Sequence, residues 1–412
     1  MFISNHKTEE HSLLKKWIWV TIGTLVSVAA LGIGGWWLID HYHYQQLVDQ
    51  PTDVKKWEAD PRPLQSESEA QKRITEIRQP SSGVRMAKKT KMAVIPGLRG
   101  AWSIDNKTRQ AAFGTNWVPQ GVTQSKKALY VSMYDGDHRL NSIIIEIDAK
   151  TGRYNKTLIL RSKAHVGGIT YDLDKQRLLW SDDNSKAGGA GISYAAQREI
   201  DAYQPQVNQA PLASTRIPFH LANRTSAMTL YNHQLVLVKY GKKTTGRSLI
   251  ALPLNDENLP NAITQKQFDK IVTDLAPQTQ HKSTTQMLDI LFKTLIKKKI
   301  INSYNPAWDR LQGVAIAKDG VTLFSQSNGS APGKIWIRMA VDKGWEKLDF
   351  KAPKAGDKMI NVPNSVEEIS FNPDQNELLL IFESGAKAYR EEGWFFHRPH
   401  YMDRIMYLPL TV

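Results

Sequence analysis

Five times beyond residue 115 the chain repeats one short grammar, and an internal repeat constrains fold class before any local preference does. Each unit opens on small and apolar residues: Gln120-Gly121-Val122, Gly167-Gly168-Ile169, Ser226-Ala227-Met228, Gln312-Gly313-Val314 and Glu367-Glu368-Ile369. A turn follows, then β-rich runs starting at Ala128, Arg177, Gln234, Val321 and Glu377, then further runs from Asn141, Ile192, Ser248, Lys334 and Asp403. Runs this short, β-branched or aromatic and bounded by Gly, Asp and Asn, read as strands joined by hairpin turns. Three or four strands per unit, recurring at roughly the 40–50 residues of a blade plus loop variation, predict an all-β propeller. Five blades are expected, or six if the longer interval between Ala227 and Gly313 hides one.

A ring of blades has to close. Runs from Lys156, Ser214 and Glu346 supply outer strands to earlier units, but no such run follows the last one. Residues 91–98, KMAVIPGL, have the character to fill that gap, which ties residues near 92 to the C-terminal strand and sets the propeller at 91–412. From about 255 to 306 the apolar spacing changes to three and four, through Phe268, Ile271, Val272 and Leu275, then Met287, Leu288, Leu291, Leu295 and Ile296. That period predicts two inserted helices. The second ends in Lys297, Lys298 and Lys299, cations suited to a helix C-terminus, which serve either as a solvated cap or as a basic surface for lipid or an anionic polymer.

The N-terminal region obeys different physics. From Trp17 to Ile39 about 23 residues carry no charge, and as a helix they span ~34 Å, enough to cross a bilayer. Trp17 and Trp19 mark one end and Trp36 and Trp37 the other, where an indole keeps its ring among headgroups. Lys15 and Lys16 precede the span and Asp40 follows it, so the positive-inside bias places residues 1–16 in the cytoplasm and the rest outside. Small residues at Ser27-Val28-Ala29-Ala30 also suit a cleaved signal peptide, but the apolar stretch continues past the usual ~7–15 residues into the second Trp pair. A single-pass signal anchor is the expectation. Residues 40–90, polar and broken by Pro51, Pro61, Pro63 and Pro80, read as an extracellular stalk with one helix-compatible run near 66–77.

Composition narrows the partners. The chain has no Cys, which excludes a disulfide framework, a Cys-ligated metal and a thiol nucleophile. Lys and Arg number 54 against 40 Asp and Glu, a net charge of +14 that attracts polyanions. Outside a membrane such a domain meets an anionic cell-wall polymer, lipid headgroups or a surface protein rather than nucleic acid.

In a propeller the innermost strands line a channel whose mouth collects ligands. The aligned openings place Gln120, His165, Arg224, Gln312, Glu367 and Glu368 at that mouth, with Tyr134, Asp182, Asp183 and Asn184 on neighbouring loops. Such residues either bind water and a ligand without chemistry, or form an acid/base pair, or hold a hard cation such as calcium through oxygen ligands. No other cofactor is implied. Ser181-Asp182-Asp183-Asn184-Ser185 lacks the alternation and closing Glu of a calcium loop and reads as a turn. There is no Gly-x-Ser-x-Gly elbow, phosphate loop or His-Glu-x-x-His. The expected function is a noncatalytic binding module for a cell-surface or cell-wall ligand. The alternative is a metal-dependent hydrolase or lactonase using Glu367 or Glu368 with His165.

Trp117-Val118-Pro119-Gln120-Gly121, Lys163-Ala164-His165-Val166-Gly167-Gly168, Leu311-Gln312-Gly313-Val314-Ala315 and the stretch from Phe382 to Arg390 with Asp403-Arg404 carry a resemblance. Over about residues 92–412 the chain resembles a group of uncharacterised secreted or membrane-anchored β-propeller proteins of Gram-positive bacteria. More distantly it is similar to gluconolactonase-like and NHL-type propellers, which implies a channel metal held by Glu, Asn and Asp from separate blades. Here the aligned positions are mainly Gln, Gly and Ser.

Overall fold

The computed structural model describes residues 6–47, 53–80, 89–183, 189–241, 246–339, 350–391 and 400–409. Two compact units divide the chain, one built on the N-terminal helix and one from residue 50 onward. The helix, α1 (His6–Leu47), runs beyond both ends of the apolar stretch. Within it Lys15–Leu38 is long and apolar enough to cross a membrane. Trp17, Trp19 and Trp37 are exposed. The hydroxyls of Thr21 and Thr24 donate to the carbonyls of Trp17 and Val20, each at 2.8 Å, so neither donor is left unpaired in the apolar stretch.

The second unit is all-β with short helices. Its first elements are α2 (Glu67–Thr75), β1 (Met92–Val94) and a two-stranded hairpin of β2 (Ala101–Ile104) and β3 (Ala111–Gly114) that the repeat does not foretell. Five four-stranded antiparallel sheets account for the rest. The first holds β4 (Trp117–Gln124), β5 (Ala128–Asp135), β6 (Ile143–Asp148) and β7 (Tyr154–Ile159). The second holds β8 (Ile169–Asp172), β9 (Arg177–Asp182), β10 (Gly191–Ala196) and β11 (Thr215–Pro218), with α3 (Gln197–Ala202) and α4 (Pro205–Asn208) before its outer strand. In the third, β12 (Thr225–Tyr231), β13 (Gln234–Lys239) and β14 (Ser248–Pro253) are separated from β15 (Ser303–Pro306) by α5 (Gln265–Thr279) and α6 (Thr284–Lys297). The long interval therefore contains a helical hairpin and the sheet's own fourth strand.

In the fourth sheet, β16 (Leu311–Ile316), β17 (Thr322–Gln326) and β18 (Pro332–Arg338) are completed by β19 (Lys358–Asn364). The run from Glu346 was expected there; apart from Phe350 it lies outside the described residues, and the seat belongs to a later segment. The fifth sheet has β20 (Val366–Phe371), β21 (Glu377–Phe382) and β22 (Arg404–Pro409), with α7 (Lys387–Glu391) between the last two. Its outer strand comes from the other end of the chain: β1 pairs with β22 in the register Met92↔Met406 and Val94↔Arg404.

Apolar clusters bond the sheets face to face. Tyr130, Ile144 and Leu158 meet Leu178 and Trp180 between the first and second. Val236 and Leu249 meet Val314 and Phe324 between the third and fourth, and Leu323 and Ile335 meet Leu378 and Met406 between the fourth and fifth. The helical hairpin adds Phe268, Ile271, Leu275, Phe292 and Leu295 to the core shared by the second and third sheets. This packing of sheet against sheet is that of a β-propeller.

The stalk expectation needs correction. Val54, Trp57, Ala59, Leu64, Ala70 and Ile74 are buried, and Ala70 and Ile74 join the core of the fourth and fifth sheets. Residues 53–79 hold to the β unit largely through backbone groups, as in Asp60 N to Gly100 O at 2.9 Å and Trp102 N to Glu58 O at 3.0 Å. Backbone bonding leaves no hydropathy pattern, which is why the segment reads as a spacer.

Candidate functional site

Four of the five first strands break register at the same place: β4 between Pro119 and Gly121, β12 between Thr225 and Ala227, β16 between Leu311 and Gly313, and β20 between Val366 and Ile369. A bulge leaves a residue unpaired and re-aims its side chain. The displaced residues are Gln120, Ser226, Gln312, and Glu367 with Glu368. Just upstream, Arg224, Arg310 and Ser365 take left-handed φ of +53°, +55° and +55°, conformations that non-glycine residues hold only where the surroundings demand it.

Glu368, expected at a channel mouth, is buried among the first strands. Fully buried, its carboxylate accepts the amide of Ile169 at 3.1 and 3.0 Å and that of Met228 at 2.7 Å, with the Val122 amide beside them. One side chain thus joins the first strands of four sheets. The room for it comes from Gly121, where a Cβ would fall 2.3 Å from Glu368 Oε2. Burial pushes the Glu368 carboxyl well above its usual range, and the amide bonds oppose that rise. Serines opposite the small residues tie neighbouring sheets: Ser132 Oγ donates to Val166 O at 2.8 Å and Ser325 Oγ to Glu367 O at 2.6 Å. A serine at that place in three second runs, at Ser132, Ser181 and Ser325, was the available sequence signal.

Beside these strands lies an acid–amide–phenol cluster. Gln312 Nε2 donates to Glu367 Oε1 at 3.2 Å, and Gln120 Nε2 donates to Glu383 Oε1 at 3.3 Å. Tyr389 Oη donates to Glu383 Oε2 at 2.6 Å. Burial raises the Glu367 carboxyl well above its ordinary value, and the charge of Glu383 adds to the rise. Glu383 is itself raised by burial. Because the charge of Glu383 raises Glu367, the protonation of one bears on that of the other. Burial and both carboxylates also raise the Tyr134 phenol. Glu383 and Tyr389 lie between β21 and β22, Tyr389 in α7 and both outside the repeat, so aligning openings does not find them.

The remaining expected residues are dispersed. The His165 ring packs on Tyr134 with centroids 4.1 Å apart, its amide donates to Asp183 Oδ1 at 3.2 Å, and surrounding protein atoms lower its imidazole pKa while leaving the ring reachable by solvent. Arg224 is exposed and lies beside Lys239 rather than beside the acids. Asp182 is spent on Ser162, Ser193 and Arg216, as a structural anchor, and Asn184 lies outside the described residues. Among the described residues no three His, Asp or Glu side chains converge as a metal centre requires.

The sequence matches no protein-family model and no curated protein. Among solved structures it is similar to the aldose sugar dehydrogenase of Streptomyces coelicolor in its PQQ-bound form, at 14% identity over 79% of this chain and 99% of that one, with a TM-score of 0.37. It is also similar to a gluconolactonase of Xanthomonas campestris, at 8% identity over 81% and 99% of the two chains and a TM-score of 0.32. The β-propeller domain of the Trilobed protease of Pyrococcus furiosus matches at 8% identity over 65% and 64%, with a TM-score of 0.27. At this level of likeness the chemistry of the mouth rests on its own residues.

Proposed function

We propose that the protein is a membrane-tethered binding module: a closed five-bladed propeller held outside the cell by α1, with its ligand at the mouth lined by Gln120, Tyr134, Gln312, Glu367, Glu383 and Tyr389. Closure is supported by the first strands, where β4 touches β8, β8 touches β12, β12 touches β16, β16 touches β20 and β20 touches β4. Orientation is supported by Lys15 and Lys16 on one side of the apolar stretch and Asp40 on the other. One observation carries the binding reading. Glu368, the carboxylate best placed by sequence for chemistry, is committed to backbone amides, whereas the residues left at the mouth are acceptors and aromatic faces. Carboxyl and amide oxygens accept from hydroxyl groups and phenol rings cover apolar faces, so the ligand class that fits is a hydroxyl-rich surface glycan.

The coupled Glu367–Glu383 pair favours a second reading, acid/base hydrolysis, because one protonated and one ionised carboxyl are what such a reaction needs. A single experiment separates the two. The full chain in neutral detergent is titrated with soluble cell-wall glycan fragments, and the fragments are analysed by mass spectrometry after long incubation. The binding reading expects saturable binding, weakened about tenfold by Glu367→Gln, a loss of ~1.4 kcal/mol, with fragments unchanged. Cleaved fragments with the native chain, lost in Glu367→Gln, would establish the hydrolase instead. Metal analysis of chain purified without chelator tests calcium, for which Glu367, Glu383 and the two glutamines are the candidate oxygen ligands.

A further inference from the structure

Cations at the start of the third sheet gather without a salt-bridged carboxylate among the described residues. Lys239 ends β13 and is paired in register with Thr225, so Arg224 directly precedes its partner, and Tyr240 N donates to Arg224 O at 3.0 Å. Lys239 Nζ donates to Asn223 Oδ1 at 2.5 Å. Among the described residues neither Lys239 nor Arg224 has a carboxylate partner, whereas Arg62, Arg139, Arg177, Arg216, Arg247, Arg338 and Arg404 each do. Burial and the Arg224 charge pull the Lys239 ammonium down to about 8. His220 stands in the same group: its imidazole is lowered by burial and by the charge of Lys239, and its Nδ1 is buried with no hydrogen-bond partner. The one carboxylate acting there is Asp269 of α5, and it acts on His220.

The charge of Arg224 acts against that of Lys239, and like charges held near one another repel unless an anion joins them. We propose that Arg224, Lys239 and Asn223, flanked by His220, form an anion subsite for a phosphate or phosphodiester group, separate from the acidic mouth. The forked guanidinium supplies paired donors and the ammonium a point charge, which is the donor set phosphate oxygens take. Asn223, with its oxygen on Lys239, holds the ammonium in place. This subsite does not rest on the glycan reading.

The probe is inorganic phosphate, added to the full chain in neutral detergent and followed by phosphorus NMR. Saturable binding is expected, weakened at least about tenfold by Arg224→Gln and by Lys239→Gln. Glu367→Gln and the pair Lys298→Gln/Lys299→Gln should leave it unchanged. Since Arg224 is exposed, its variant decides if Lys239→Gln fails to fold. The absence of saturable binding by the native chain, or an equal loss in the Lys298/Lys299 variant, overturns the proposal. The source is then read by competition. A glycerol-phosphate oligomer that displaces phosphate identifies a wall-type polymer, and loss of the bound-phosphate signal in phosphatidylglycerol nanodiscs, but not in neutral ones, identifies a lipid headgroup.

Discussion

Glu368 is the one large side chain in a layer otherwise kept small by Gly121, Gly168, Ala227 and Gly313. Its carboxylate takes the space that Gly121 leaves and satisfies the buried amides of Ile169 and Met228. Glu368→Ala should therefore lower stability by about 3–5 kcal/mol, through a cavity and buried amides left without an acceptor, read as a lower midpoint in urea unfolding. A loss under about 1 kcal/mol would show that the axis is not held by this residue. The sequence singles out Glu368 as the exception in its column, but an acid among glycines reads the same whether it faces water or backbone. Glu383 is the converse case, a central residue of the mouth with nothing periodic to mark it.

At the scale of elements, the closing strand was legible and its support was not. The missing outer strand of the last unit points to residues near 92, and β1 takes that seat against β22. What braces the seam is the segment before it. Asp403, fully buried, accepts Leu64 N at 2.6 Å and Gln65 N at 3.1 Å and pairs with Arg404 at 2.6 Å, whose guanidinium also donates to Gln65 O at 2.8 Å. Asp403→Ala leaves a buried cation without its counter-charge and two amides without their acceptor, a cost of about 3–5 kcal/mol. Hydrogen exchange should then show the amides of residues 64–65 and of the strand pair β1–β22 losing protection together, ahead of β5 and β6. Unchanged protection at β1 would mean that the strap and the seam are independent. The helical hairpin α5–α6 was legible because helical spacing persists for several turns and each helix opens on a capping box, Thr264 with Gln267 and Ser283 with Gln286.

For the whole molecule the testable question is which way it faces. A chain without cysteine accepts single reporters without background. Lys150→Cys, on an exposed turn after β6, should react with an impermeant maleimide in intact cells, and Ser12→Cys only after permeabilisation. The reverse pattern would invert the topology and remove wall ligands from consideration. Features that depend on a period or a run were determined by the sequence itself: the apolar stretch of α1, the five-unit β grammar, the inserted helices and the closing strand. Their cause is local, since burying one face of a strand or helix imposes a spacing on the chain. The tertiary structure alone decided what Glu368 bonds, that Glu383 and Tyr389 complete the mouth, that Arg224 meets Lys239, and that residues 53–79 are packed. Those contacts join different strands and loops or run through backbone amides, and neither kind leaves a pattern along the chain.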